Sequence, residues 1–156
     1  MEPIKTILHP TDFSESSMFA LGYAISFAKE FDAKLYLLHV IEPVSTMFYL
    51  DASKAPPAVE AMTDIQNHAQ RALEEVLPPE VKGTISTEYL IRGGAPFLEI
   101  IRCAKEIDAD MIVCGSHGRT GLKHMIFGSV AENVVRHSPC PVLSVRHPEH
   151  KFEMPV

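Results

Sequence analysis

Lys34-Leu35-Tyr36-Leu37-Leu38-His39-Val40-Ile41 is the stretch on which the fold turns. It is nearly continuous in apolar residues and stops at Glu42-Pro43. An apolar run that short belongs to a strand covered on both faces, as the strands of parallel sheets are. Upstream, Ile4 to Leu8 is a second β-rich run, stopped by His9-Pro10. Between the two, Ser, Asp and Glu residues open a segment with apolar positions at Leu21, Ala24, Ile25, Ala28 and Phe31, the spacing of an amphipathic helix.

Downstream the alternation continues. From Pro43 to about Ala61 the chain carries three prolines and no stable period, and so long a connection in a compact domain is usually a functional lid or a mobile insertion. Met62, Ile65, Ala69, Ala72, Leu73 and Val76 then recur at helical spacing until Pro78-Pro79. Thr84 to Ile91 predicts a third strand. Gly93-Gly94-Ala95-Pro96 predicts a turn into a helix carrying Phe97, Ile100, Ile101, Ala104 and Ile107. Met111 to Cys114 predicts a fourth strand, Ser129 to His137 a last helix, and Val142 to Val145 a last strand.

Strands alternating with helices in this way describe an α/β domain, a doubly wound five-stranded parallel sheet with helices on both faces. Ligands of such sheets bind beyond the carboxyl ends of the strands, where strand order reverses. The loops after Leu8, Val40 and Cys114 are therefore expected on one edge. With 156 residues the chain is expected to form one domain over 1–156, with 43–61 as its variable segment.

Fourteen Lys and Arg against twenty Asp and Glu leave a net charge of −6, so no global field attracts nucleic acid or an anionic membrane. Any phosphate must be captured locally. Cys103, Cys114 and Cys140 form no zinc spacing, and their odd number argues against a disulfide framework. The N-terminus meets a proline too early for a signal peptide, and no apolar run approaches the ~20 residues of a membrane span. A cytoplasmic location is the expectation.

The fourth strand leads into Gly115-Ser116-His117-Gly118-Arg119-Thr120-Gly121-Leu122-Lys123-His124-Met125-Ile126-Phe127-Gly128-Ser129-Val130, a G-x2-G-x9-G-S pattern. Glycines let backbone approach a ligand closely, and successive N–H groups form anion-binding nests. At the start of the last helix, unpaired N–H groups and the helix dipole favour phosphate, and the Ser129 hydroxyl adds a donor. The pattern is neither a Walker loop nor the GxGxxG fingerprint. The structural alternative is that the glycines shape a tight loop and Ser129 caps a helix.

The chain resembles the universal stress protein family in its ATP-binding branch, over nearly its whole length. The match is strongest from Asp108-Ala109-Asp110-Met111-Ile112-Val113-Cys114-Gly115 through Gly128-Ser129-Val130-Ala131-Glu132 to His137-Ser138-Pro139-Cys140-Pro141-Val142-Leu143-Ser144-Val145. Ile7-Leu8-His9-Pro10-Thr11-Asp12-Phe13-Ser14 is similar to the family's opening strand and loop. Members lacking the glycine pattern generally do not bind ATP, and every position of it is present here. The resemblance implies a Rossmann-like fold of the adenine nucleotide alpha hydrolase type. It implies the adenosine end of ATP near Pro10, Thr11, Asp12 and Val40, and the ribose and phosphates near Gly115, Gly118, Gly128, Ser129 and Val130, with Cys114 as a packing neighbour. It further implies Mg²⁺ or Mn²⁺ bridging the phosphates without named protein ligands, a homodimer paired through Val142 to Val145, and a protein partner of unknown identity.

Single residues carry alternatives. Asp12 suits a helix N-cap as well as a ligand contact. The eight histidines show no metal-site spacing and are expected at the surface or at strand ends. Lys123 is expected to be solvated, whereas Arg119 suits phosphate equally well. Cys103 and Cys114 are expected as inert core thiols and Cys140 as exposed. A nucleotide-dependent regulatory module is the expected function. The alternatives are a slow ATPase or phosphate- or adenylyl-transferring enzyme, for which Glu132 and His117 are the nearest candidate bases, and a binder of another adenine-containing ligand. No catalytic residue is assigned.

Overall fold

The computed structural model describes residues 2–43, 58–118 and 127–149. Its elements run β1 (Thr6–Pro10), α1 (Glu15–Phe31), β2 (Lys34–Ile41), α2 (Ala58–Glu74), β3 (Thr87–Gly93), α3 (Pro96–Glu106), β4 (Met111–Gly115), α4 (Ser129–His137) and β5 (Val142–Val145). The strands form one five-stranded sheet in the order β3-β2-β1-β4-β5, every neighbouring pair parallel. This is the expected Rossmann-like α/β arrangement.

Alternation along each strand sorts the core into two layers. Ile7, Leu35, Leu37, Val113 and Val145 pack with Ala20, Leu21 and Ala24 of α1 and Leu73 of α2. Leu8, Leu38, Ile112 and Cys114 pack on the other face with Ile100, Cys103 and Ala104 of α3 and Val134 of α4. Both faces of the sheet are thus covered, which is why β2 reads as an almost unbroken apolar run. No helix among the described residues is long and apolar enough to cross a membrane.

Several boundaries differ from the sequence expectation, each for a local reason. β1 continues over His9-Pro10, pairing them with Leu37 and Leu38 of β2. Proline ends the strand rather than preventing it, because the ladder to β2 resumes at once with the Thr11 N–H on the Leu38 carbonyl at 2.8 Å. β3 begins at Thr87 because Thr84 is held in a turn, its N–H and hydroxyl both donating to the Val81 carbonyl. α2 begins at Ala58, inside the expected 43–61 connection, whose positions 44–57 lie outside the described residues. Met62 and Ile65, at 50% and 40% exposure, continue its apolar stripe outside the core, and close packing begins at Ala69 and Leu73.

Close packing also fixes the junction of α1 with β4. A Cβ at Gly115 would stand 2.9 Å from the carbonyl carbon and oxygen of Ser16 and 2.7 Å from its hydroxyl. Only glycine lets the first turn of α1 lie so near the end of β4. Backbone atoms cannot rotate away as a side chain can. Gly115→Ala is therefore expected to lower unfolding free energy by about 1–3 kcal/mol, the range for overpacking a well-filled site, as measured by denaturant titration without nucleotide.

Candidate functional site

The site stands where β1 and β4 part. β1 has β2 on one side and β4 on the other, and their following helices leave to opposite faces, α1 to one and α4 to the other. This is the strand-order reversal at which doubly wound sheets bind ligands. Paired residues join β1 to β4 at Ile7–Met111 and Leu8–Ile112. Beyond them the imidazole of His9 takes over, its Nδ1–H donating to the Val113 carbonyl at 2.8 Å.

The loop after β1 is held by its own hydroxyls. Ser14 is the N-cap of α1, its hydroxyl accepting from the Ser17 N–H, so Asp12 is not the cap. Asp12 instead closes an Asx turn, Oδ1 accepting from the Ser14 N–H at 3.0 Å. Thr11 is buried, and its hydroxyl meets Ser17 Oγ at 2.9 Å and accepts the Phe13 N–H. The other Asp12 oxygen, Oδ2, faces the loop after β4, lying 2.8 Å from where a Cβ on Gly118 would be.

The glycine loop closes on itself at its neck. The Gly128 N–H donates to the Ser116 carbonyl at 2.8 Å, and the Ser116 N–H donates to the Val145 carbonyl of β5 at 2.9 Å. A Cβ at Gly128 would find its nearest atoms, in Ser116, His117 and Gly118, at 3.5–3.6 Å. The two ends of the pattern, far apart in sequence, are thus neighbours in space. Gly128 is the N-cap of α4 and supplies no side-chain bond, so the first-turn N–H groups of α4 have no side-chain cap. Ser129 and Val130 are exposed there. Arg119 and Lys123 lie outside the described residues.

Of the ten residues singled out in the sequence, Thr11, Asp12, Gly118 and Gly128 meet around this crevice. Pro10 ends β1 opposite Leu38, and Val40 lies near the end of β2. Ser129 and Val130 open α4. Gly115 has a packing role against Ser16, and the Cys114 side chain belongs to the core layer under α3 and α4. Burial pushes the Cys114 thiol up to about 12 and raises that of Cys103, so both are inert. Cys140 is half-buried rather than exposed, its sulfur 3.6 Å from the Ser138 hydroxyl, and burial raises its thiol pKa as well. No group of three metal-ligating side chains occurs among the described residues.

Two histidines stand at or just beyond strand ends, as expected of histidines not at the surface, and both are buried. His117 shares a hydrogen bond with the Ser116 hydroxyl at 2.9 Å. His9 is fully buried, with Nδ1–H committed to Val113 and Nε2 lacking any partner. The signal for His9 was its phase: it shares the period of Ile7, one layer of the core. The sequence reading assigns no role at the site to Ser14, Ser16 or His39, although the hydroxyl-rich Thr11-Asp12-Phe13-Ser14 run is a visible cap signature.

A model of the universal stress protein family matches residues 3–146. Universal stress protein MJ0531 of Methanocaldococcus jannaschii is 39% identical over 147 residues, which cover 93% of this chain and 84% of that protein. Universal stress protein MJ0577 of the same organism is 31% identical over 153 residues, covering 91% and 94%. The solved structure of MJ0577 superposes with a TM-score of 0.78 at 32% identity, over 94% of this chain and 98% of that one. That of UspA from Lactobacillus plantarum gives 0.78 at 27% identity, over 94% and 100%.

Burial pushes the His9 pKa down from 6.5 to about 4, because a second proton would have to sit on the partnerless Nε2. The folded state thus prefers neutral His9. Its contribution is fully present above pH 6.5 and is lost as pH falls toward 4, amounting to about 3 kcal/mol. Unfolding free energies measured across that window are expected to fall less steeply in His9→Leu than in wild type.

Proposed function

The chain belongs to the universal stress protein family, and on that premise we propose that it is an ATP-binding regulatory module of the stress response, holding the nucleotide where β1 and β4 part. The observation that carries this is the closed neck of the glycine loop. It sets the uncapped first turn of α4 beside Gly118 and Asp12, at the strand-order reversal.

The residues fit such a ligand. Backbone N–H groups at the start of α4 are donors without a competing side-chain acceptor, and they suit phosphate oxygens. This explains how a chain of net charge −6 would bind a polyanion without a basic patch. Gly118, Gly128, Ser129 and Val130 would take the phosphates and ribose, with Gly115 beneath them, while Pro10, Thr11, Asp12 and Val40 would take the adenosine end. Mg²⁺ or Mn²⁺ would supply charge neutralisation, resting mainly on phosphate oxygens and water.

Binding is favoured over efficient catalysis by the state of the two nearest candidate bases. Glu132 is half-exposed and paired with Arg136 one turn on, at 2.9 Å. His117 is buried and bonded to Ser116. Neither is poised to orient water at a phosphate. We also propose a homodimer through β5, an edge strand that among the described residues pairs with β4 alone. The downstream protein partner would read nucleotide occupancy.

Titration calorimetry with ATP and Mg²⁺ is expected to show binding, with turnover below about 1 s⁻¹, the low end of ordinary enzymes. Recovery of a different adenine-containing ligand with the purified protein would replace ATP as the assignment. Gly128→Ala discriminates the site, since its methyl group finds ordinary contact distances within the protein and an extended backbone suited to alanine. Its unfolding curve is expected to match wild type while ATP affinity falls tenfold or more, about 1.4 kcal/mol. Gly118→Ala is less clean because its methyl displaces Asp12. Light scattering at micromolar concentration is expected to give twice the 17.3 kDa chain mass.

A further inference from the structure

Phe13 is one of three non-glycine residues with positive φ among the described residues, at 63°. The other two, Asp32 and Asp108, are of the residue type that tolerates this conformation, and Asp32 is an ordinary helix C-cap. A phenylalanine there is strained and persists only where its surroundings over-determine it. Three contacts do so: its N–H bonds to the Thr11 hydroxyl, the next residue caps α1, and its ring lies 4.5 Å from that of His39, centroid to centroid.

His39 does more than receive the ring. Its Nδ1–H donates to the Thr11 carbonyl at 2.8 Å. One residue earlier, the Leu38 carbonyl accepts the Thr11 N–H, also at 2.8 Å. β2 therefore grips both polar groups of the Thr11 backbone, the second with a side chain where the ladder would otherwise end. The residue so held is followed by Asp12, whose Oδ2 faces Gly118 across the crevice.

We propose that His39 is a positioning residue for the nucleotide: through the Thr11 carbonyl it fixes the peptide that sets Asp12 against the glycine loop, and it thereby sets nucleotide affinity without touching the ligand. The inference rests on the nucleotide-binding role proposed above and extends it to a residue on a neighbouring strand. The strained Phe13 stores part of the cost of that placement, and the His39 bond holds it.

The chemistry of the bond supplies the test. In His39→Asn the side-chain amide NH₂ stands near the place of Nδ1 and can donate to the same carbonyl; in His39→Leu nothing can. A hydrogen bond of this kind contributes about 0.5–1.5 kcal/mol net. His39→Leu is therefore expected to weaken ATP binding roughly three- to tenfold. His39→Asn is expected to stay within about twofold of wild type. Amide NMR of the nucleotide-free proteins gives a second readout, with Asp12 and Gly118 signals shifted in His39→Leu and restored in His39→Asn.

Wild-type affinity and unshifted signals in a folded His39→Leu overturn the proposal. Equal losses in both variants also overturn it, since ring packing on Phe13 would then be the whole role. If wild type binds no ATP, the nucleotide assignment has failed and the affinity claim fails with it; Asp12 and Gly118 signals that shift in His39→Leu and return in His39→Asn then uphold only the placement of the Asp12 peptide by His39, and signals that ignore both substitutions overturn that as well.

Discussion

The first turn of α1 lies against the end of β4, at a separation that only a glycine at position 115 permits. Almost everything at the crevice depends on that contact. It holds the start of α1, which follows the loop after β1, close against the end of β4, although about a hundred residues separate them in the chain. A parallel sheet does the rest, because every strand delivers its carboxyl end to the same side. The crevice is a consequence of topology, and Gly115 sets its width at the base.

Its walls are made largely of backbone. Hydroxyls and a carboxylate on the α1 side (Thr11, Asp12, Ser14 and Ser17) are spent mostly on one another and on main-chain N–H groups. On the α4 side, Gly128 opens the helix without a capping side chain. The division is physically sensible for a polyanion site: one loop is rigidified by internal hydrogen bonds, and the other offers oriented donors that need not be desolvated from a competing acceptor. Under the proposed function, charge would be recognised by dipoles and N–H groups of the described loop ends.

Polar groups buried beneath the crevice show the cost of splaying two strands apart. Where the β1–β4 ladder ends, His9 spans the gap with Nδ1 and leaves Nε2 without a partner, and the hydroxyls of Ser16 and Ser144 are likewise unsatisfied. Such atoms cost stability. His9 stands at the end of β1 and Ser16 beside the end of β4, where the two strands part, whereas Ser144 sits in the β5 ladder opposite Cys114.

The sequence by itself determined the order and type of every element and most of its apolar positions, because apolar phase along a strand or helix is a local property; which positions share a core layer was decided by the fold. It also determined that the glycine pattern follows β4, and the resemblance carried by Gly115, Gly118, Gly128 and Ser129 placed the chain in its family. Element ends were less legible: β1 runs through Pro10 and α2 starts at Ala58, since pairing partners and helix propensity outweigh the local stop signals. Tertiary structure alone decided which residues share work across loops. Nothing local to Gly115 announces Ser16, nothing near His39 announces the Thr11 carbonyl, and Asp12 reads as a cap until Ser14 is seen in that place. Those relations arise from strand order, which brings distant segments within hydrogen-bond reach, and periodicity along one segment carries no record of its neighbours.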